Sequence, residues 1–293
     1  MAETAARTAC LGLGTAPFIA DYSIDGAPGP VDPAGLLADC VEAGVRYVDT
    51  SAHYGEVETL LGAHRPLLER HRARLCVKVG VRDWPQGIDE ALVRLDVERV
   101  DTVMIHSARG AALRDPRIAD VMARVKAAGR SARTGASTYG IDDARYVLEQ
   151  PWGDAVQTEH SILNPSVARA IGPGKRAGQE IVVRSVLCRG LLTARRHEAP
   201  RVGDDEVMTM LERLDALAAA WGFGDLAELA IRFALDSPSV DVVLVGIASL
   251  AELKVAMAAS ARPPLTGRQL DALREFDHSA EDWTHPERWT AVA

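Results

Sequence analysis

The sequence predicts an α/β protein that folds as a (β/α)8 TIM barrel, with residues 1–293 forming a single domain. Strand-like and helix-like segments alternate eight times along the chain, which is the pattern of this barrel. The strand segments are short and apolar on both faces, as parallel strands covered by helices require. An open, doubly wound sheet is the alternative, but it favours a Gly-x-Gly-x-x-Gly turn after the first strand. Here Gly12 and Gly14 lack the third glycine.

Each predicted strand is followed by a predicted helix. The predicted strands are Cys10–Phe18, Arg46–Ser51, Arg74–Gly80, Thr102–Ser107, Ala132–Ser137, Asp154–Gln157, Glu180–Ser185 and Val242–Gly246. The predicted helices are Pro33–Ala43, Glu56–Arg70, Gly87–Leu95, Pro116–Ala128, Ile141–Gln150, Pro165–Arg176, the split pair Asp204–Ala220 and Asp225–Leu235, and Leu250–Ala259. Gly44 and Gly129 follow the first and fourth helices, at the position where glycine commonly ends a helix.

Two segments fall outside this alternation. Residues 19–31 are rich in Gly and Pro and are too long for a minimal connection, so we expect a long loop after strand 1, over the barrel mouth. The C-terminal tail contains Trp283, His285 and Trp289 without a clear period. It is expected either to be a flexible end or to fold back near the mouth.

Composition and charge exclude several classes of protein. The net charge of −8 argues against a nucleic-acid-binding surface, and no apolar run approaches the roughly 20 residues of a membrane helix. The N-terminus lacks the basic and apolar regions of a secretory signal. Four cysteines stand singly, without metal-ligand spacing, which indicates buried thiols in a reducing compartment. We therefore expect a cytoplasmic protein without a metal, and the sequence leaves the oligomeric state open.

Polar residues at three successive strand ends predict the catalytic site. Asp49 lies in the second predicted strand and Tyr54 just after it, while Lys78 and His106 lie near the ends of the next two. Because the carboxyl ends of parallel barrel strands share one face, where ligand sites lie, these side chains are expected to form one cluster. A lysine in a buried strand needs a counter-charge, which Asp49 can supply. Each residue taken singly also has an ordinary structural role. Asp49 could cap a helix and Tyr54 could be a packing residue. Lys78 could extend to solvent, and His106 could be a hydrogen-bonded core histidine.

The four residues together suit acid–base chemistry at a carbonyl group. The pKa of a free Tyr hydroxyl is about 10, and a neighbouring ammonium favours its deprotonated form. Asp49 would hold Lys78 in place, and His106 would orient a substrate oxygen. Such a set can protonate a carbonyl oxygen that becomes an alkoxide, or remove the proton in the reverse reaction. No side chain supplies a hydride, so this chemistry requires a nicotinamide cofactor.

The sequence resembles the aldo-keto reductase family. The motif VDTSAHYGEVETLLG at 48–62 is similar to the Asp-Thr-Ala, Tyr-Gly, Glu and Leu-Gly spacing of that family, and a strand lysine and an Asp-x-x-x-x-His motif, Asp101 to His106, follow in the same order. Segments 135–137, 156–164, 183–193 and 243–253 fall where the family has cofactor-handling strand ends. Segments 11–26 and 183–193 resemble a bacterial branch often found near sugar-modifying genes.

The resemblance implies an NAD(P)-dependent oxidoreductase of the alcohol dehydrogenase and carbonyl reductase type, with Tyr54 as general acid and base and a small, sugar-like or aldehyde substrate. It assigns a nicotinamide dinucleotide to a set of strand-end residues: Ser137 and Gln157 at the carboxamide, Arg184 at the ring, Ser185, Leu187, Gly190 and Leu191 at the pyrophosphate, and Gly246, Ile247, Ser249 and Glu252 at the adenosine ribose. Tyr22, His53 and Trp84 are the expected substrate contacts.

Departures from the family pattern keep other functions open. Thr138 stands where Asn is usual, Arg184 where Tyr is common, and Ala256 where NADP-using members have Asn. Glu252 would repel a 2′-phosphate but accept a hydrogen bond from a 2′-hydroxyl, which favours NAD over NADP; the alternative is that Glu252 lies on the solvated face of the last predicted helix. The alternatives are an epimerase, dehydratase or lyase on a related barrel, and a non-catalytic cofactor-binding barrel. Arg195 and Arg196, after the seventh predicted strand, are either a solvated loop pair or a clamp for a cofactor phosphate, and the solvated pair is the favoured interpretation.

Overall fold

Eight parallel strands close into a barrel whose order follows the chain. The computed structural model describes residues 9–19, 29–84, 86–197 and 205–285. The strands are β1 (Cys10–Gly14), β2 (Tyr47–Ser51), β3 (Arg74–Val79), β4 (Val100–Ile105), β5 (Ser131–Ser137), β6 (Ala155–Glu159), β7 (Glu180–Arg184) and β8 (Val242–Gly246). Each strand pairs with its neighbours in the sequence, and β1 pairs with β8 to close the ring. The predicted (β/α)8 fold is confirmed.

Helices surround the strands and cover their outer faces. In the described residues they are α1 (Pro33–Glu42), α2 (Val57–Ala63), α3 (Arg65–Arg70), α4 (Gln86–Arg94), α5 (Gly110–Leu113), α6 (Arg117–Ala127), α7 (Ile141–Glu149), α8 (Ser166–Ile171), α9 (Asp205–Ala220), α10 (Leu226–Leu235), α11 (Leu250–Ala261) and α12 (Gly267–Leu273). Outward-facing strand residues such as Val48, Val77 and Val103 are buried in one continuous apolar core with the helices. This outer layer makes the barrel a rigid support for the residues at its mouth.

Several predicted boundaries are wrong for local reasons. The first strand ends at Gly14 rather than Phe18, because Pro17 lies in a 3₁₀ turn over Ala16–Phe18, and proline cannot donate to a strand ladder. The predicted helix over 56–70 is two helices, α2 and α3, with Pro66 in the first turn of the second. The predicted sixth helix stops at Ile171, before a Gly-Pro-Gly 3₁₀ turn.

The segments outside the alternation are only partly described. Residues 20–28 of the predicted loop, including Tyr22, and residues 286–293 of the tail, including Trp289, lie outside the described residues. The described part of the tail begins at His278, whose backbone N–H donates to the carbonyl of Leu163 at 2.9 Å. The start of the tail therefore lies against the segment that follows β6. Within the described ranges, no helix combines the length and the apolarity that crossing a membrane requires.

Candidate active site

The barrel interior leads directly to the candidate site. Its apolar filling includes Tyr47, Cys76, Met104, Ala155 and Val182. Side chains two residues apart on a strand share a face. The next interior positions toward the carboxyl ends are therefore Asp49 (β2), Lys78 (β3), His106 (after β4), Gln157 (β6) and Arg184 (β7). The period of two thus brings one polar residue from each of five strands to the barrel mouth.

Lys78 is the centre of this cluster. Its Nζ lies 2.6 Å from Asp49 Oδ2 and 2.9 Å from the Tyr54 hydroxyl oxygen. Asp49 and Lys78 are each only 2% exposed, whereas Tyr54 is half-buried in the turn after β2. The backbone of that turn is fixed by the Tyr54 N–H, which donates to the Ser51 carbonyl at 2.9 Å. The predicted carboxylate, ammonium and phenol therefore meet in one hydrogen-bonded chain.

Gln157 and Ser137 are joined to the same chain. The amide nitrogen of Gln157 donates to Asp49 Oδ1 at 2.7 Å, while its Oε1 accepts from Ser137 Oγ at 3.1 Å and lies 3.4 Å from Lys78 Nζ. Each carboxylate oxygen of Asp49 thus has its own donor. These contacts satisfy the polar groups of a buried ion pair, which otherwise costs more than it contributes.

The electrostatic environment fixes the protonation of two members. Burial alone would lower the pKa of Lys78, but the Asp49 carboxylate, followed by the Tyr54 oxygen, outweighs it and raises that pKa above its usual value. Lys78 is therefore an ammonium. Burial, together with the charges of Lys78, His53 and Arg184, lowers the pKa of His106 to about 2. The His106 imidazole is neutral, and its ring stands perpendicular to the Tyr54 ring at a centroid distance of 5.9 Å.

Ser51, which the sequence reasoning did not single out, belongs to the site. Its hydroxyl oxygen lies 2.7 Å from Nδ1 of His106 and donates to the Lys78 carbonyl at 3.0 Å. The signal that could have found it is a buried hydroxyl at the end of β2, where the resemblance gives alanine. Ser51 connects the histidine to the backbone of the strand that carries the lysine.

A cleft of about 350 Å³ runs from this cluster across the ends of β7, β8 and β1. Asp49, Tyr54 and Lys78 line one end. The predicted cofactor residues on its surface are Arg184, Ser185, Leu187, Gly190, Gly246 and Glu252. Its walls between the polar ends are mainly apolar, with Pro17, Ile231, Leu244 and Val255 among them. An extended ligand is required to reach from Tyr54 to Glu252.

Other predicted cofactor residues lie away from the surface of this cleft. Leu191 and Ile247 are buried in apolar clusters, at 1% and 0% exposure, because their side chains point toward surrounding helices. Ser249 is the N-cap of α11, where its hydroxyl accepts a hydrogen bond from the Glu252 N–H at 3.3 Å. The expected contacts of Leu191 and Ile247 with a ligand would therefore be through backbone atoms.

The predicted substrate residues occupy different places at the mouth. His53 is exposed, and its ring centroid lies 5.2 Å from that of His106. Trp84 is half-buried after β3 and donates from its indole nitrogen to the Val79 carbonyl at 3.2 Å. Tyr22 lies outside the described residues. Of the two that the structure describes, His53 is the one in contact with the catalytic cluster.

Arg184 is oriented by neutral oxygens at the ends of β5 and β7. Its guanidinium donates to the Thr138 carbonyl at 2.8 Å and lies within 3.3–3.5 Å of the hydroxyls of Ser185 and Ser137. The guanidinium carbon also lies 4.0 Å from the ring centroid of Tyr139. These contacts hold a cationic plane in the cleft, beside the Tyr54 and Lys78 end.

The turn after β7 has an unusual backbone. Ser185, Cys188 and Arg189 have φ values of 60°, 47° and 53°, in the left-handed region that costs energy for residues other than glycine. Two of the three, Ser185 and Arg189, line the cleft. Strain of this kind concentrates at ligand sites, which supports this turn as part of the binding surface. No sequence pattern predicts it.

The far end of the cleft contains an ion pair. Arg195 donates to Glu252 Oε1 at 2.7 Å, and the backbone N–H of Ala248 donates to Glu252 Oε2 at 2.7 Å. The interpretation of the arginines here as a solvated pair is wrong. Arg195 lines the cleft, and Arg196 is buried and ion-paired with Asp215.

The donor set of the cleft fits a dinucleotide. Arg189 and Arg195 supply cations for phosphate groups, the planar guanidinium of Arg184 can lie against a flat ring, and Asp225 and Glu252 can accept hydrogen bonds from ribose hydroxyls. The apolar walls suit the faces of flat rings. Within the described ranges, no group of three or more His, Cys, Asp or Glu residues is placed to hold a metal ion.

Comparisons with known proteins point to one family. A model of the aldo/keto reductase family matches residues 11–278. L-galactose dehydrogenase of Arabidopsis thaliana is 23% identical over 298 aligned residues, which cover 94% of this chain and 92% of that protein. Aldo-keto reductase AKR11C1 from Bacillus halodurans, in its holo form, superposes with a TM-score of 0.75 at 20% identity, covering 92% of both chains. An aldo/keto reductase from Klebsiella pneumoniae, solved with NADP and acetate, has a TM-score of 0.71 at 19% identity, covering 92% of this chain and 91% of that one.

Proposed function

This chain belongs to the aldo/keto reductase family and is an NAD(P)-dependent oxidoreductase, and on that basis we propose that Tyr54 is its general acid and base. The observation that carries the proposal is the 2.9 Å contact between the Tyr54 hydroxyl and the Lys78 ammonium at one end of the cleft. The phenol is half-buried and its partner is fully buried. The hydroxyl can therefore reach a ligand in the cleft, while the charge that acts on it is held in place.

Each residue of the cluster has a separate task in the proposed reaction. Tyr54 gives its proton to the substrate oxygen when a carbonyl is reduced and takes it back when an alcohol is oxidised. The Lys78 ammonium stabilises the negative charge that forms on the Tyr54 oxygen. Asp49 and Gln157 fix Lys78, and neutral His106 orients the substrate. A bound nicotinamide cofactor supplies or accepts the hydride.

We propose that the cleft holds this cofactor between Arg184 and Glu252. Arg184 would lie against the nicotinamide, Arg189 near the pyrophosphate, and the Arg195–Glu252 pair near the adenosine ribose. Glu252 supports a preference for NAD(H), because its carboxylate is held in the cleft by Ala248 N–H and would repel a 2′-phosphate. Arg195 acts in the opposite direction, since its guanidinium attracts that phosphate.

The proposed substrate is a small carbonyl compound or alcohol of sugar-like type. The similarity to L-galactose dehydrogenase supports this class. The cluster itself has polar groups at the mouth, including His53 and His106, that suit a hydroxylated ligand.

Two measurements on the intact protein test this function. Intrinsic fluorescence is titrated with NADH and with NADPH, and oxidation of each is followed at 340 nm with glyceraldehyde, 4-nitrobenzaldehyde and propanal. We expect saturable quenching and turnover with at least one cofactor. If neither cofactor binds and none is oxidised, the redox function is contradicted, and epimerase, dehydratase or lyase chemistry takes its place.

A further inference from the structure

The hydroxyl group of Ser51 is a junction of three contacts. Its oxygen lies 2.7 Å from Nδ1 of His106, 3.0 Å from the Lys78 carbonyl oxygen and 3.3 Å from the backbone nitrogen of His53, whose N–H donates to it. A hydroxyl has one proton to donate and two lone pairs to accept with. The Ser51 hydroxyl can donate its proton either to the Lys78 carbonyl or to the His106 imidazole. Which of the two accepts it decides which nitrogen of His106 carries the ring proton.

The strand pairing identifies the acceptor of that proton. In a parallel ladder, successive residues bond alternately to the two neighbouring strands. Arg74 N–H donates to Arg46, next to β2, and the Val79 carbonyl accepts from His106, next to β4. Lys78, four residues after Arg74, therefore turns its carbonyl toward β2, where it pairs in register with Ser51.

β2 ends at Ser51, so the ladder does not continue to that carbonyl. In the described part of the chain, no backbone N–H beyond the end of β2 donates to it. The Ser51 hydroxyl takes the place of the missing donor. Turning the proton to the imidazole instead would leave a buried carbonyl unsatisfied, which costs more than an ordinary hydrogen bond contributes.

We infer that Ser51 is a positioning residue that holds His106 as its Nδ1–H tautomer, so that Nε2 accepts a hydrogen bond from a substrate hydroxyl. With the Ser51 proton on the Lys78 carbonyl, the 2.7 Å contact forms only if His106 Nδ1–H donates. The imidazole is neutral, because burial lowers its pKa to about 2. Nε2 consequently has a lone pair and no proton.

This tautomer indicates a substrate class for the proposed reaction, and the inference rests on that proposed function. The reacting oxygen exchanges its proton with Tyr54, so it is not the donor to His106. A second hydroxyl of the substrate must fill that role, and a hydroxyl on the adjacent carbon is the nearest one available. The site therefore selects vicinal diols in the oxidative direction and α-hydroxy carbonyl compounds in the reductive direction. A simple aldehyde has no hydroxyl group that could donate a hydrogen bond to the unprotonated Nε2.

The tautomer can be measured without turnover. The protein is labelled with ¹⁵N at histidine, and two-bond ¹H–¹⁵N correlations are recorded at pH 7, with His106 assigned by the loss of its signals in His106→Gln. We expect protonated Nδ1 and unprotonated Nε2 in the native protein and in Ser51→Thr, which keeps the hydroxyl. In Ser51→Ala the Nε2–H form should appear. Nε2–H in the native protein, or an unchanged tautomer in Ser51→Ala, overturns the inference.

The substrate preference is tested with matched aldehydes. Glyceraldehyde has a hydroxyl next to its carbonyl, and propanal does not. We expect kcat/KM for glyceraldehyde to exceed that for propanal, and Ser51→Ala to reduce that ratio by roughly fivefold, as the loss of one hydrogen bond implies, with recovery in Ser51→Thr. An equal loss on both aldehydes contradicts the acceptor role. If no carbonyl compound is reduced at all, the proposed function fails, while the NMR result still decides the tautomer.

Discussion

Lys78 and Asp49 stabilise the fold only as a pair. Both side chains are buried, and Lys78 is the sole cation in contact with Asp49 in the described structure. Removing one partner of a buried pair leaves an uncompensated charge, which typically costs about 3–5 kcal/mol. We predict that Lys78→Met lowers the free energy of unfolding by about that amount, and that the double variant with Asp49→Asn recovers part of it without activity.

Urea denaturation measures this cost, and the chain offers a matched control. Lys126 forms an ion pair of similar length with Asp154, at 2.7 Å, but its side chain is 39% exposed. Lys126→Met should cost less than about 1 kcal/mol, because exposed pairs are screened by solvent. Equal effects of the two substitutions would show that the Lys78 environment is not buried as described.

His106 makes stability depend on pH with a defined sign. Its folded pKa of about 2 lies below the unfolded value of about 6.5, so the unfolded state binds its proton first as the pH falls. The stability that depends on neutral His106 is complete above pH 6.5 and is lost progressively at lower pH, by on the order of 1 kcal/mol per pH unit. His160, whose pKa burial and Arg169 lower to about 4, contributes in the same direction.

The measurement is the free energy of unfolding at pH 7, 6 and 5 for the native protein and for His106→Gln. The native protein should lose more stability than the variant over this interval. Parallel curves for the two proteins would mean that His106 takes up a proton as readily in the folded state as in the unfolded state.

At the scale of elements, strand β5 depends on close contact between backbones. A Cβ at Gly135 would lie 1.9 Å from the Ala155 carbonyl oxygen of β6. Gly135→Ala must therefore separate the two strands whose ends hold Ser137 and Gln157. We predict a loss of stability of about 3 kcal/mol or more and reduced cofactor binding. Gly174→Ala is the control, because nothing lies within 4 Å of its added Cβ, and thermal unfolding compares them. A tolerated Gly135→Ala would contradict the described register.

The sequence predicts the strands better than their connections. Asp49 and Lys78, near the ends of β2 and β3, and His106, just after β4, are visible because each is a polar residue in or next to an apolar strand, and the period of two places their side chains on one face. The sequence pattern does not predict the break between α2 and α3, because Pro66 continues an apolar pattern. It does not predict α12 either, although Thr266 and Gln269 form a capping box there. The orientation of Gln157 toward Asp49 depends on β6 lying opposite β2 across the ring, which no local pattern contains.

At the scale of the whole molecule, the cleft joins residues from both ends of the chain. Gly14 and Val255 line the same surface, and only closure of the barrel between β1 and β8 brings them together. The sequence therefore predicts which residues lie at strand ends, but not which of them line the same side of the cleft. The family resemblance assigns Leu191 and Ile247 to the ligand, whereas their side chains are buried in the apolar clusters of the fold.

The choice between NADH and NADPH depends on the whole cleft, and substitutions in the Arg195–Glu252 ion pair test it. We predict that Arg195→Ala weakens NADPH binding more than NADH binding, because it removes the cation opposite a 2′-phosphate, and that Glu252→Gln shifts the preference toward NADPH. A change of about tenfold in the ratio of the two dissociation constants corresponds to about 1.4 kcal/mol. Fluorescence titration measures both constants for each variant. Equal changes for the two cofactors would place the ribose elsewhere.

The most direct test of the account is the rate of the chemical step in Tyr54→Phe, measured in a single turnover with saturating reduced cofactor and glyceraldehyde. The account predicts a rate about 10²–10⁴ times lower than that of the native protein, with the cofactor dissociation constant unchanged. A variant that binds cofactor normally and reacts within tenfold of the native rate would contradict the central claim that the Tyr54 hydroxyl exchanges the substrate proton.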